Sequence, residues 1–196
     1  MSEPFGPEQL LACYRRGVFP MADGREDRHV FLMEPEMRGI IPLDGLKISR
    51  SMRQFLRRHA YTVTYNQAFA DVIEACALTR TETWISEGIE MLYTVLHEQG
   101  DAHSVEVWEV EKLVGGLYGV TQGGAFFGES MFSLRTNVSK LALVKLVERL
   151  NERGFVLLDT QFLTDHLKTL GAIEIARDEY KDRLTLALGL DASFAP

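Results

Sequence analysis

The spacing of apolar positions changes several times along the chain, and each change predicts an element. Residues 8–16 (EQLLACYRR) carry helical spacing up to Gly17, and the VFPM that follows predicts a turn through Pro20. Residues 22–30 are polar and charged, as an exposed loop would be. Pro35 and Pro42 bracket a short extended piece, RGII at 38–41. Ser49 then fits as the N-cap of a helix with Met52, Phe55 and Leu56 on one face. YTVTYN (61–66) alternates as a strand, while 67–78 and 86–99 read as amphipathic helices, the second stopped by Gly100.

A block of strand signals comes next. HSVEVWEV (103–110), LVGGLYGVTQ (113–122) and AFFGESMF (125–132) are separated by turns at Glu111-Lys112 and Gly123-Gly124, which predicts an antiparallel meander. Gly115-Gly116 reads as a strand bulge. Residues 138–153 form a long helix closed by Gly154, with Leu141, Val144, Leu146, Val147 and Leu150 apolar. FVLLDTQ (155–161) is almost continuously apolar, the mark of a strand buried on both faces. TDHLKTLG, AIEIA and RDEYKDRLTLALG complete the chain as helix, strand and helix. A strand, a crossover helix and a buried strand predict an α+β fold with a mixed sheet flanked by helices. A boundary near Pro35 divides a short N-terminal domain, 1–35, from the main domain, 36–196.

Composition narrows this picture. With 196 residues, 46% hydrophobic and 25% charged, the chain can bury a real core. No apolar run reaches the ~18–20 residues that cross a bilayer, and no signal peptide is evident. Two cysteines, Cys13 and Cys76, have no metal-like spacing, so a cytoplasmic protein with free thiols is expected. The net charge of −7 argues against a uniformly basic nucleic-acid binder. Local clustering matters more. Arg50, Arg53, Arg57 and Arg58, flanked by Lys47 and His59, form a positive stripe. Arginine forks match phosphate oxygens, although a solvated helix face paired with carboxylates would give the same pattern.

Three polar residues stand inside apolar strands. Alternation puts Phe127, Glu129 and Met131 on one face, with Phe126, Ser130 and Phe132 on the other. A carboxylate there needs hydrogen bonds, a cleft or an exposed edge. Asp159 and Gln161 lie two apart at the carboxyl end of their strand, where clefts open in α/β sheets. Trp84 is placed either for stacking on a base or in the core. His103 and His166 read as structural or solvent-facing. No metal site is expected, and no GxGxxG, GKS/T or GxSxG motif appears.

Taken together, YRRGVFPM (14–21), ISRSMRQFLRR (48–58), TWIS (83–86), AHSVEVW (102–108), LVGGLYGV (113–120), FFGESMFS (126–133), SK (139–140), LLDTQ (157–161) and DHLKTLGA (165–172) closely resemble the leucyl/phenylalanyl-tRNA–protein transferase family. The resemblance runs over roughly residues 9–185. It implies a GNAT-like catalytic domain behind a small N-terminal one. It implies transfer of Leu, Phe and less readily Met from aminoacyl-tRNA to proteins with N-terminal Arg or Lys, marking them for degradation. On the matching positions, Glu129 resembles the acidic residue that recognises the acceptor and helps hold the glutamine. Gln161 resembles the residue that assists the acceptor α-amine, with Asp159 in support. Trp84 resembles the tryptophan that meets the terminal adenosine. Phe126, Met131, Leu143, Leu146 and Leu150 become walls of the donor side-chain pocket, and Arg50, Arg53, Arg57 and Arg58 the tRNA contacts.

An aminoacyl ester is already activated, so no cofactor is expected: attack by an amine needs positioning and a proton acceptor. Two departures fall in the N-terminal domain. It is shorter than the family's, and Phe31-Leu32-Met33-Glu34-Pro35 stands where the family commonly has Trp-Trp-Ser-Pro. Two other readings stay open from the residues themselves. An acyl-CoA-dependent GNAT enzyme would need a glycine-rich pyrophosphate cradle before the long helix, where this chain reads SLRTNVSK. A non-catalytic tRNA-binding protein would explain the arginines but not Glu129, Asp159 and Gln161.

Overall fold

A computed structural model describes residues 5–26, 29, 31–58, 61–79 and 83–195; His59 and part of the 22–30 loop lie outside these. The chain begins with α1 (Pro7–Arg15), followed by β1 (Phe19–Met21), β2 (Phe31–Met33) and β3 (Met37–Ile40). Next come α2 (Arg50–Arg58), β4 (Thr62–Tyr65), α3 (Phe69–Leu78) and α4 (Glu87–Gln99). The meander is β5 (Ala102–Glu109), β6 (Lys112–Gln122) and β7 (Ala125–Ser133). Then follow α5 (Val138–Glu152), β8 (Leu157–Gln161), α6 (Asp165–Thr169), β9 (Ile173–Ala176) and α7 (Arg177–Leu188).

Among the described residues, seven strands form one mixed sheet in the order β4-β5-β6-β7-β8-β3-β9. Each neighbouring pair is antiparallel except β7 and β8, which run parallel through the α5 crossover. One face carries α1, α3, α4 and α7, whose Tyr14, Val72, Tyr93 and Leu184 share a core with Tyr118 and Phe127. The other face carries α2, α5 and α6 over Leu117, Phe126 and Leu158. Among the described residues no helix is long and apolar enough to cross a membrane. Local signals act as expected at the helix ends: Ser49 Oγ accepts from Met52 N at 3.1 Å, and Gly100 takes φ 86° after α4.

Three details depart from the pattern reading. Pro20 does not turn the chain; it sits within β1, paired with Leu32 in a separate two-stranded ladder, where an open edge tolerates the missing N–H. The RGII piece supplies β3, inserted between β8 and β9, although 121 residues separate Arg38 from Asp159. On β7 the alternation breaks. Tyr118 pairs with Ser130 and Gly119 with Gly128, so Glu129 is an extra residue in a β-bulge. Phe126 and Met131 therefore face one core, while Phe127, Glu129 and Phe132 turn to the other.

The sheet opens beside that bulge. Only Ala125–Phe127 of β7 pair with Leu157–Asp159 of β8. Beyond them β7 stays with β6, while β8 goes to β3, where Gly39 pairs with Gln161. Gly39 is small for a reason: an added Cβ would lie 2.7 Å from the backbone carbon of Phe162. Gly39→Ala is expected to cost about 1–3 kcal/mol in urea unfolding and to lower turnover, since the clash lands one residue past Gln161. An unchanged unfolding midpoint would contradict this close approach.

Candidate active site

The parting of β7 and β8 leaves a cleft of about 420 Å³. Its walls are Leu117, Met131, Leu143, Leu146 and Leu158, with Trp84 and Phe162 also lining it. Glu129 enters from the bulge, and Thr160 and Gln161 from the end of β8. Among the described residues, five buried side-chain atoms lack a hydrogen-bond partner: Tyr118 Oη, Glu129 Oε2, Ser130 Oγ, Thr160 Oγ1 and Gln161 Nε2. All five belong to residues that line this one cleft. An unpaired buried polar atom costs ~1–3 kcal/mol, so their convergence marks a place built for a polar ligand.

Gln161 is held in a strained shape. Its φ is 63°, and Phe162 N donates across it to Thr160 O at 2.7 Å, which closes a γ-turn. Its own N–H donates to Asp159 Oδ1 at 2.7 Å. Asp159 in turn is fully buried and saturated. Arg38 Nε donates to Oδ1 at 2.9 Å, Arg38 Nη2 to Oδ2 at 2.6 Å, and Tyr180 Oη to Oδ2 at 2.7 Å. Arg38, 2% exposed, also donates through Nη1 to Gly17 O at 3.0 Å, and its guanidinium lies over the rings of Phe19 and Tyr180. A buried pair with this many partners offsets its desolvation cost.

Glu129 differs. Its Oε1 accepts from Tyr14 Oη at 2.6 Å, and Tyr14 is in turn bonded to the Tyr93 hydroxyl. Burial pushes its carboxyl up to about 7, against the pull of the Tyr14 hydroxyl, the nearby Gln161 amide and the Tyr93 hydroxyl. Neither of the last two reaches hydrogen-bond geometry with Oε2. The folded protein binds this proton more tightly than the unfolded chain. Glu129 therefore favours folding below about 4.5 and opposes it increasingly as pH rises through about 7.

Residues 40–185 match the family model for leucyl/phenylalanyl-tRNA protein transferase, and residues 4–36 match the model for that family's N-terminal domain. The chain belongs to the leucyl/phenylalanyl-tRNA–protein transferase family. A leucyl/phenylalanyl-tRNA–protein transferase of Hyphomonas neptunium is 55% identical over 197 residues, covering 99% of this chain and 76% of its own length. One from Maricaulis maris is 55% identical over 194 residues, covering 97% of this chain and 90% of its own length. A crystal structure of FemX aligns with a TM-score of 0.56 at 12% identity, over 86% of this chain and 66% of that one, a likeness of fold alone. The transferase thus has the mixed sheet flanked by helices that its sequence pattern predicts, and shares its fold with that structure. Membership also decides between the readings the residues left open, against a CoA-dependent enzyme and against a non-catalytic tRNA binder.

Placement of the expected residues is uneven. Glu129, Gln161, Trp84, Met131, Leu143 and Leu146 line the cleft of the transferase. Asp159 does not; it sits behind Gln161 with every lone pair engaged by protein. Phe126 and Leu150 are likewise corrected from wall to foundation. Phe126 packs against Phe194 beneath the cleft, and Leu150 lies a full turn beyond Leu146 in the same core. His166 is solvent-facing at the edge of the cleft, its acidity raised by partial burial and by Lys140, whereas His103 is buried against Phe194 and is structural. Arg50, Arg53, Arg57 and Arg58 are exposed and make no ion pair with a described carboxylate. Their helix packs on Leu141, Val144 and Lys145, the side of α5 opposite Ser139, Leu143 and Leu146. The stripe and the cleft are therefore separated by one helix, ~10–12 Å across.

Sequence reasoning missed Arg38, Tyr93 and Tyr180 entirely, and used Tyr14 only as part of a motif. Nothing local marks them, because each earns its role from a partner far along the chain. Arg38→Met should cost about 3–5 kcal/mol by leaving Asp159 buried and alone. Pairing it with Asp159→Leu should restore most of that stability in urea unfolding while turnover stays lost. Equal stability of the single and double variants would contradict the ion-pair account.

Proposed function

We propose that this transferase moves Leu, also Phe and less readily Met, from aminoacyl-tRNA to the α-amine of proteins with N-terminal Arg or Lys, marking them for degradation in the cytoplasm. The observation that carries this reading is the pairing of two unpartnered buried groups, Glu129 Oε2 and Gln161 Nε2, with an apolar wall in one cleft. The donor side chain packs on Met131, Leu143 and Leu146. Such a wall separates Leu from a small residue readily and Leu from Met poorly, because one methylene is worth only ~1–3 kcal/mol.

Gln161 orients the incoming amine through its side-chain amide, which is too weakly basic to take a proton itself. Asp159 acts one step back, fixing the backbone turn that aims Gln161. With Asp159 saturated, Glu129 is the carboxylate that receives the acceptor proton. Trp84 stacks on the terminal adenosine at the rim, and the exposed arginines of α2 hold tRNA phosphates on the far side of α5.

The test is transfer of radiolabelled Leu from Leu-tRNA to a peptide with N-terminal Arg. Gln161→Ala should lower turnover by roughly 100- to 1000-fold, the scale seen when one positioned polar group is removed from an active site. Its Kd for Leu-tRNA should change less than threefold. Equal losses in both would overturn the assignment.

A further inference from the structure

Three tyrosines approach Glu129 from three elements, and the chemistry above leaves them unused. Tyr14 comes from α1, Tyr93 from α4 and Tyr118 from β6. Tyr14 donates its only hydroxyl proton to Glu129 Oε1. The close contact between the Tyr14 and Tyr93 oxygens must therefore be filled by the proton of Tyr93. The result is a directed chain, Tyr93 to Tyr14 to carboxylate, in which both donated protons point at the negative charge. Burial makes both phenols much weaker acids than usual, so they keep their protons and stay donors.

The chain has no exit. Tyr14 and Tyr93 are fully buried, and the Tyr93 ring packs edge-on against Tyr118 at 5.4 Å between centroids. It cannot relay a proton to solvent, so its effect is to bias the carboxyl between its charged and neutral forms. Two other charged groups bear on Glu129. Asp159 on β8 disfavours the anion, and Arg38 on β3 lies close enough to interact with Glu129 while bound to Asp159. Tyr118 offers an unpartnered hydroxyl on the cleft side, and Gln161 an uncharged amide. The tyrosine pair is thus the main hydrogen-bonded support for the ionised form against the cost of burial.

We propose that Tyr14 and Tyr93 are positioning residues for acyl transfer, whose hydroxyl chain keeps Glu129 anionic when the acceptor amine arrives. The inference rests on the reading of Glu129 as proton acceptor. In the step it serves, the acceptor ammonium gives one proton to Glu129, and the freed nitrogen lone pair attacks the ester carbonyl carbon. The C–N bond forms, the bond from that carbon to the ribose oxygen breaks, and the oxygen leaves with a second proton from the amine. Glu129 then returns its proton to solvent. With the hydroxyl chain in place a substantial share of the carboxyl is ionised near neutral pH, and without it that share falls and turnover falls with it.

The experiment follows the carboxyl directly. The full-length enzyme is labelled with carboxyl-¹³C glutamate, and the Glu129 signal, assigned by its loss in Glu129→Gln, is titrated by NMR. Tyr14→Phe should raise its midpoint by about one to two pH units, the effect of one lost hydrogen bond to a charged group. Tyr93→Phe, one link further away, should raise it by roughly a few tenths of a unit; this variant also serves where Tyr14→Phe folds poorly. The acid limb of kcat at saturating acceptor should move the same way in both. Midpoints left at the wild-type position would overturn the inference while leaving Glu129 as acceptor. A Glu129→Gln enzyme with wild-type turnover would instead sink the reading beneath it.

Discussion

The site depends on one buried ion pair. Arg38 and Asp159 meet at 2.6 Å with almost no exposure, and their contact joins β3 to the end of β8. Alone, either charge would be costly in this interior; together, with Tyr180, Gly17 O and the Gln161 N–H, they satisfy one another. This network fixes the backbone at 161 in a left-handed turn that a glutamine rarely adopts. The strain is local, and the bonds that hold it are buried.

Geometry does the rest. Parallel pairing of β7 and β8 lasts three residues, and the bulge at Glu129 coincides with the point where the strands part. The same irregularity that opens the cleft turns a carboxylate into it. The apolar face of α5 closes one side, so a hydrophobic wall and a polar pair lie within one small space. Catalysis of aminolysis at an activated ester asks for little more than alignment and a proton acceptor. The N-terminal segment takes part as well, because Tyr14 of α1 reaches the carboxylate and Gly17 O reaches Arg38.

Much of this was legible from residue order. Helix caps, the meander and the crossover were written in local spacing, so the mixed sheet could be read directly. Glu129 and Gln161 stood out because polar groups inside apolar strands need a reason. What could not be read lay in long-range register. Asp159 looked like a catalytic carboxylate because its partner, Arg38, is 121 residues away in a four-residue strand between prolines. The bulge was hidden because it is set by the pairing of β7 with β6, and simple alternation assigned Met131 to the wrong face. Phe126 and Leu150 were rightly apolar, yet sequence cannot tell a wall from the layer beneath it.

The most direct measurement is native-state hydrogen exchange at the Gln161 backbone amide. If the Arg38–Asp159 network holds the turn, that amide exchanges only through large-scale opening, with protection close to that of the central strands. Exchange at the rate of an exposed loop amide would show that the turn is not held, and the account of the site would fail with it.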